Sequence, residues 1–324
     1  MNLGILGTGK IVQEFLPEME NLNIPYKAIL GTLRSKERVE KLAAQFNLQK
    51  IYFDYDELLK DENLDTIYIA LPNNLHYEFA KKALLADKNI IIEKPAVTTF
   101  EEFQELKQLA ADKKKILLEA VTLHYLPAYK NIRADLQKLG DIKIVSMNYS
   151  QYSSRYDAFK RGEILPAFDP KKAGGALMDI NVYNINFAVG LFGAPKTFSY
   201  SANIENGIDT SGVMVLDYGN FKVVCIGAKD CEALTVSTIQ GDKGNIIMEI
   251  PPNRIDAYIL NYNNGEGSVE AFDEDKHRMI YEFENFIEII DNKNFELAEE
   301  MLKISGTVAQ ILQGGREQVG IKIG

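Results

Sequence analysis

Cysteine and histidine are scarce in this chain of 324 residues. It contains two cysteines, Cys225 and Cys231, and three histidines, His76, His124 and His277. Two thiols supply neither a disulfide framework nor a four-thiolate zinc site, and no spacing among these residues is typical of a metal cluster. We therefore expect no bound metal, no disulfide, cysteines that lie in the core or in a sheet, and a reducing, cytoplasmic environment.

Long apolar runs and an excess of positive charge are also missing. No segment reaches the roughly 18 apolar residues of a membrane span, and no basic stretch precedes an apolar run at the start, so neither membrane insertion nor a signal peptide is expected. The 36 basic and 46 acidic residues leave a net charge of −10, which disfavours nucleic acid and anionic lipid as partners. Apolar residues make up 46% of the chain, enough for the two domains that about 150 residues per domain predict.

The first 120 residues alternate between short apolar runs and longer segments with helical spacing. The strand-like runs are 3–6, 26–31, 66–70, 89–92 and 116–118, and the clearest helical segments are 37–46 and 75–86. Helices that follow strands require crossovers, which make the strands parallel, and uninterrupted apolar strands are typical of a sheet covered on both faces. Residues 1–120 are therefore predicted to form an α/β dinucleotide-binding domain of the Rossmann type.

After residue 140, strand-like runs follow one another through turns. They cover 142–152, 196–204, 211–216, 221–227, 234–240, 245–250 and 257–262, and helices are predicted at about 174–191, 275–291 and 295–313. Runs of strands without intervening helices favour antiparallel pairing. Residues 121–324 are therefore predicted to form an α+β domain with a large, mostly antiparallel sheet.

The segment Gly7-Thr8-Gly9-Lys10-Ile11-Val12 follows the first strand and opens a helix. Glycines let a backbone approach a pyrophosphate, whose charge is stabilised at a helix N-terminus. The alternative is a tight turn that binds nothing, and Val12 stands where the motif usually has Gly or Ala. We expect Val12 to narrow this turn without blocking a pyrophosphate.

The end of the second strand indicates which dinucleotide would bind. NAD-specific sites usually have an acid there, whereas this chain reads Leu30-Gly31-Thr32-Leu33-Arg34-Ser35-Lys36-Glu37-Arg38. Arg34 can pair with a 2′-phosphate, and Arg38 lies one helical turn further on. We therefore expect NADP(H) to be preferred and NAD(H) to remain possible; the alternative is that both arginines are simply solvated.

Three segments follow further along the chain: Ile69-Ala70-Leu71-Pro72-Asn73-Asn74-Leu75-His76, Ile92-Glu93-Lys94-Pro95, and Gly174-Gly175-Ala176-Leu177-Met178-Asp179-Ile180-Asn181-Val182-Tyr183. In order and spacing they resemble the motifs of the Gfo/Idh/MocA oxidoreductases, with Tyr183 as in the dihydrodiol dehydrogenase and glucose-fructose oxidoreductase branch. The resemblance covers residues 1 to about 195. It implies an NAD(P)-dependent enzyme that interconverts an alcohol and a carbonyl on a sugar, cyclitol or diol. It also implies homodimers or homotetramers formed through the open face of the second domain's sheet.

The resemblance also implies individual site residues. The catalytic set would be Lys94, Tyr183 and Asp179. The cofactor site would contain Gly7, Thr8, Gly9, Lys10, Ile11, Leu33, Arg34, Arg38, Leu71, Asn73, His76, Glu93 and Lys94. For His76, a role in helix capping or packing is an equal alternative to a cofactor contact. His124 replaces an arginine that is common in the family. Asn181 and Asn184 replace a Gly and a Pro of the family motif.

Physical chemistry supports the catalytic set independently. Lys94 follows a buried strand, at the carboxyl edge where open parallel sheets bind ligands. A spacing of four places Asp179 and Tyr183 on one helix face. A lysine beside a phenol lowers the pKa of the phenol, so Tyr183 could move the proton that accompanies hydride transfer.

A purely structural interpretation remains open for each of these residues. Lys94 alone is a strand-end lysine, Asp179 a helix-entry residue and Tyr183 a core aromatic. Arg155 and Tyr156 could bind a hydroxylated ligand or lie in a solvated loop. A dinucleotide-sensing regulator without turnover, or less readily an oxidoreductase that never releases its nucleotide, would also fit this fold.

Overall fold

Six parallel strands form the sheet of the first unit. The computed structural model describes residues 1–272 and 276–322. The strands pair in the order β3-β2-β1-β4-β5-β6, and every neighbouring pair is parallel. They are β1 (Leu3–Leu6), β2 (Lys27–Leu30), β3 (Lys50–Tyr52), β4 (Thr66–Ile69), β5 (Asn89–Glu93) and β6 (Leu117–Ala120). The helices between them are α1 (Lys10–Phe15), α2 (Lys36–Gln45), α3 (Tyr55–Leu59), α4 (His76–Leu85) and α5 (Phe100–Lys113).

This arrangement confirms the predicted Rossmann-type sheet. The short strand β3 was not predicted, because it has 3 residues and only one of them, Tyr52, is buried. The strand order places β1 and β4 side by side, with β2 beyond one and β5 beyond the other. Ligands of open parallel sheets bind at such a switch point, beyond the carboxyl ends of the strands.

The first unit also contains residues 276–306, which the sequence assigned to the second domain. The helix α9 (Arg278–Asp291) occupies the predicted segment 275–291, of which residue 275 lies outside the described residues. Its Phe283 stacks on Phe15 of α1 at a ring-centroid distance of 3.9 Å. Asp291 accepts a hydrogen bond of 2.7 Å from the ammonium group of Met1. The expectation of one continuous domain over 121–324 therefore differs from the structure, because the apolar face of α9 packs against the first unit.

The second unit comprises the described residues of 121–275 together with 307–322. Its sheet has the strand order β14-β13-β12-β11-β7-β10-β9-β8. Only β7 and β10 are parallel neighbours, so the predicted mostly antiparallel sheet is confirmed. The strands are β7 (Ile142–Ser150), β8 (Thr197–Glu205), β9 (Ile208–Asp217), β10 (Lys222–Ala228), β11 (Ser237–Gly241), β12 (Gly244–Met248), β13 (Ala257–Tyr262) and β14 (Gly267–Ala271).

Helices of this unit include α6 (Pro127–Asp135), α7 (Tyr156–Lys160) and α8 (Val182–Phe192), and α10 (Phe295–Gln318) contributes its later residues. The predicted helix 174–191 begins instead as a π-helical segment, Leu177–Asn181, which leads into α8. The predicted strand 234–240 starts only at Ser237. Cys231 therefore lies in an exposed loop rather than in the core, while Cys225 is buried in β10, and both thiols are free.

Candidate active site

The turn after β1 requires glycine at one position and is open at another. Gly7 has φ +106°, and a Cβ there would lie 2.6 Å from the carbonyl oxygen of Ala70. Gly9 caps α1, and a Cβ there would meet no described atom within 4 Å. Val12 is fully buried, so its side chain points into the core and not into the turn. The exposed backbone at Gly9 can therefore approach an anionic group.

The end of β2 presents its candidate residues to solvent. Thr32 and Ser35 hydrogen-bond each other's backbone in a capping box, which fixes the turn. Leu33 between them is 76% exposed, and Arg34 and Arg38 are exposed as well. Within residues 1–272 and 276–322, neither arginine forms an ion pair. Both guanidinium groups are thus available to an incoming phosphate.

His76 lies at the start of α4 and is completely buried. Its Nε2 is 2.8 Å from the carbonyl oxygen of Leu71, and its Nδ1 is 3.0 Å from that of Pro95. Burial lowers the pKa of His76. Its ring nitrogens therefore face one loop that carries Leu71 and another that carries Lys94, contacts that the packing alternative for this residue predicts.

The Lys94 loop is held on both sides by buried groups. Lys94 is half-buried directly after β5, and its peptide bond to Pro95 is cis. Glu93 accepts a hydrogen bond of 2.5 Å from the Tyr68 hydroxyl, and burial raises the pKa of this carboxyl group. The backbone N–H of Ala96 donates to Glu119 Oε1 at 2.8 Å. Glu119, an acid within the apolar strand β6, thus fixes the backbone two residues beyond Lys94, a contact that the sequence analysis missed.

The π-helical segment and α8 present two polar side chains. Among residues 173–189, Asp179 and Tyr183 are the two that keep partial solvent access, and the others are buried. The start of this segment is fixed because the Leu177 N–H donates to Asp209 Oδ2 at 2.6 Å. Tyr183 packs near Tyr149, with ring centroids 6.1 Å apart. Both residues of the predicted pair therefore keep access to solvent from an otherwise buried segment.

Asp179 has a partner that the sequence analysis did not identify. Its Oδ2 lies 2.8 Å from the Nζ of Lys229, whose side chain is 2% exposed. Lys229 follows β10, about 50 residues beyond Asp179 along the chain, so no local pattern indicates the pair.

Among the described residues, no cluster of three or more His, Cys, Asp or Glu could hold a metal ion.

Comparison with known proteins places this geometry in a family. A family model for oxidoreductases with an NAD-binding Rossmann fold, GFO_IDH_MocA, matches residues 1–121, and the GFO/IDH/MocA C-terminal domain matches residues 133–247. The scyllo-inositol 2-dehydrogenase (NADP(+)) IolU of Bacillus subtilis (strain 168) is 33% identical over 324 residues, covering 99% of this chain and 98% of that protein. The chain belongs to the Gfo/Idh/MocA oxidoreductase family. It is therefore an NAD(P)-dependent oxidoreductase, as predicted.

A second relative and a solved structure are similar to most of this chain. The trans-1,2-dihydrobenzene-1,2-diol dehydrogenase of Xenopus tropicalis is 28% identical over 255 residues, which is 76% of this chain and 74% of that protein. A crystal structure of a 3-ketoreductase from Actinomadura kijaniata, in complex with NADP and TDP-benzene, is 19% identical and covers 98% of this chain and 97% of its own. Its TM-score of 0.83 shows a shared fold.

Two positions where this Gfo/Idh/MocA protein departs from the family motif have structural roles. Asn181 donates to the carbonyl oxygen of Cys225 at 3.0 Å, and Asn184 donates to that of Ile226 at 2.9 Å. A Cβ on Gly227 would lie 2.6 Å from the Asn181 Cβ, so helix and strand are in close contact. The two asparagines attach the π-helical segment and α8 to β10.

Two further candidate residues have hydrogen-bond partners within the second unit. His124 Nε2 lies 3.2 Å from Asn186 Oδ1, and burial lowers the pKa of His124 to about 4. The Tyr156 hydroxyl donates to Glu205 at 2.6 Å, which with burial raises the pKa of Tyr156 to about 12. Arg155 is exposed beside it. His124 and Tyr156 are therefore packing residues of the second unit.

No helix in the described part of the chain combines the length and apolar character that crossing a membrane requires.

Proposed function

We propose that this protein is an NADP(H)-preferring dehydrogenase or reductase that acts on a hydroxyl or carbonyl group of a sugar, cyclitol or diol. The observation that carries the proposal is the presentation of Asp179 and Tyr183 from an otherwise buried segment. The substrates in the names of the Bacillus and Xenopus relatives, an inositol and a diol, support the substrate class. We also propose a cytoplasmic location, which two free thiols suit.

In the proposed reaction, the bound cofactor and three side chains of the protein have separate roles. When bound, the nicotinamide accepts or supplies the hydride at the substrate carbon. Tyr183 takes the hydroxyl proton during oxidation and returns it during reduction. Lys94 polarises the substrate oxygen and favours the ionised phenol, and Asp179 orients the substrate or one of these two groups.

The residues of the first unit fit the proposed cofactor. The backbone at Gly9 is open to a pyrophosphate, and Lys10 and Ile11 follow at the start of α1. Arg34 and Arg38 are exposed where a 2′-phosphate would be recognised, and Leu33 offers an apolar surface to the adenine. NAD(H) would use the same turn without the charge-assisted contact.

The test combines a substrate panel with the conservative variant Tyr183→Phe. Purified protein is assayed on sugars, inositols and diols by nicotinamide absorbance with either cofactor. Because Tyr183→Phe keeps the ring and removes only the hydroxyl, turnover should fall by about 10²–10⁴ while cofactor affinity stays nearly unchanged. Tyr262→Phe, the same change in β13, is the matched control and should retain activity.

Two outcomes would contradict the proposal. Full activity of Tyr183→Phe would remove the phenol from the mechanism. Tight NADP(H) binding without turnover on any substrate of the panel would favour the sensing regulator.

A further inference from the structure

We propose that Lys229 is a positioning residue of this enzyme, which fixes the Asp179 carboxylate from its buried side. The proposal rests on the proposed function, in which Asp179 takes part in the reaction. The two side chains form an ion pair of 2.8 Å but differ sharply in access, since 38% of the Asp179 side chain is exposed and only 2% of Lys229. A substrate can therefore reach Asp179 but not Lys229.

The ammonium group of Lys229 is fixed by more than one contact. Its Nζ donates to the carbonyl oxygen of Ala167 at 2.6 Å and lies 4.4 Å from the ring centroid of Phe168. A cation over an aromatic face is stabilised most when it is desolvated. The ammonium group thus has one defined location, which defines in turn where a carboxylate partner must lie.

The backbone of Lys229 is equally constrained. Its N–H donates to the carbonyl oxygen of Thr210 at 2.8 Å, and its own carbonyl oxygen accepts from the Ser153 N–H at 2.9 Å. The lysine is therefore attached to β9 on one side and to the loop before α7 on the other. These contacts leave the side chain little freedom to follow a displaced Asp179.

A buried ammonium group is costly without a carboxylate partner. Asp209, which fixes Leu177 at the start of the same helical segment, is another acid that this ammonium affects, because the positive charge opposes the rise that burial causes in the pKa of Asp209. Asp209 is 1% exposed, so it belongs to the support and not to the accessible face. Asp209 therefore fixes the start of the segment, and Lys229 fixes the carboxylate that the segment presents.

The test compares Lys229→Met, which removes the charge at similar length, with Lys229→Arg, which keeps it. Because Asp179 would lose its fixed orientation, Lys229→Met should lower kcat by up to about 100-fold. The Kd for NADPH should stay unchanged, because the residues proposed to bind the cofactor belong to the first unit. Lys229→Arg should restore most of the lost kcat, which a purely structural loss would not predict.

Lys88→Met is the matched control. Lys88 is another buried lysine, 7% exposed, and its Nζ donates to the carbonyl oxygens of Asp61 and Leu64. This variant should lower the Tm but leave kcat unchanged. If Lys229→Met does not fold at the assay temperature, Lys229→Gln, which can still donate to Ala167, is measured in its place.

A double variant separates this proposal from the proposed function. If Lys229 acts through Asp179, Lys229→Met combined with Asp179→Asn should be no slower than Asp179→Asn alone. A normal kcat in Lys229→Met, or additive losses in the double variant, would overturn the positioning role. Full activity in Asp179→Asn itself would instead overturn the role assigned to Asp179 in the proposed function.

Discussion

Glu119 couples a titratable group to the loop that carries Lys94. It is 7% exposed and accepts a hydrogen bond from Ala96, two residues beyond Lys94. Burial raises the pKa of Glu119 to about 7, and hydrogen bonds from Ser305 and Ala96 oppose this rise. At the residue scale, the charge of this carboxyl group therefore changes near neutral pH.

Stability should depend on pH through this group. The pKa of Glu119 is about 7 in the folded protein against 4.5 ordinarily, so the folded state binds the extra proton in this range. The free energy of unfolding should then fall by up to about 3 kcal/mol as the pH rises from 4.5 to 7. Glu119→Gln should remove this component, measured by urea unfolding at several pH values, whereas Glu101→Gln, an exposed acid of α5, should not. Parallel pH curves for Glu119→Gln and the unmodified protein would contradict the assignment.

Arg34 is one of the two exposed arginines on which the cofactor preference depends in our proposal. Arg34→Ala should weaken NADPH binding by about tenfold or more, because a charge-assisted hydrogen bond contributes roughly 1.5–3 kcal/mol. NADH binding should change little, since its ribose has no phosphate at this place. Calorimetry with both cofactors measures this difference, and Lys41→Ala, which removes an exposed charge from α2, is the control. Equal affinities for NADPH and NADH in the unmodified protein would refute the preference.

At the scale of elements, Gly175 allows the loop before the π-helical segment to approach β9. It has φ +103°, and a Cβ there would lie 2.0 Å from Asp209 Oδ1. Asp209 also accepts a hydrogen bond of 2.8 Å from the Tyr200 hydroxyl, so it cannot move away at no cost. The conformation of Gly175 therefore determines where the segment that presents Asp179 begins.

Gly175→Ala should be destabilising for two reasons that a second variant separates. Gly162 also has a positive φ, +87°, but a Cβ there would meet no described atom within 4 Å. Both alanine variants incur about 1–2 kcal/mol of backbone strain. Only Gly175→Ala adds the clash with Asp209, so its loss in unfolding free energy should be larger by roughly 1–3 kcal/mol. Equal losses in the free energy of unfolding, measured with denaturant, would show that the Asp209 side chain moves aside without an energetic penalty.

At the scale of the whole molecule, one row of side chains across the eight-stranded sheet is apolar towards both ends, with Thr238 and Ser146 between them. Paired positions across the sheet place Val269, Ile259 and Ile247 at one end of this row, and Val224 and Val215 near the other. All are at least partly exposed, and Val269 is 69% exposed. Exposed apolar surface of this kind is typical of protein–protein interfaces. It supports the prediction, made from the family resemblance, that the protein forms a homodimer or homotetramer through the open face of this sheet.

A charge within this row should disrupt such an oligomer. Val224→Lys would place two or more buried ammonium groups in a symmetric interface, so the oligomer should dissociate towards the monomer. Light scattering coupled to gel filtration measures the mass directly. Leu85→Lys in α4, where the leucine is 53% exposed, is the control and should keep the native mass. A monomeric unmodified protein, or an oligomer unaffected by Val224→Lys, would refute this interface.

The sequence alone determined the two kinds of sheet, the glycine turn and the motifs that contain Lys94, Asp179 and Tyr183. These features depend on residues that are close in the chain, because strand and helix periods and turn glycines act locally. The spacing of Asp179 and Tyr183 likewise predicted one shared helix face, and both side chains keep partial solvent access in the structure.

Only the tertiary structure decided which groups, distant in the chain, contact the segments that carry Lys94 and Asp179. Glu119 meets Ala96 because β5 and β6 are neighbours, and Lys229 meets Asp179 because the end of β10 lies beside the π-helical segment. The assignment of α9 to the first unit likewise depends on Phe283 packing against Phe15, since an amphipathic pattern shows that a helix has an apolar face but not which sheet will cover it. Contacts between residues far apart in the chain arise from strand order and packing, which no local pattern contains.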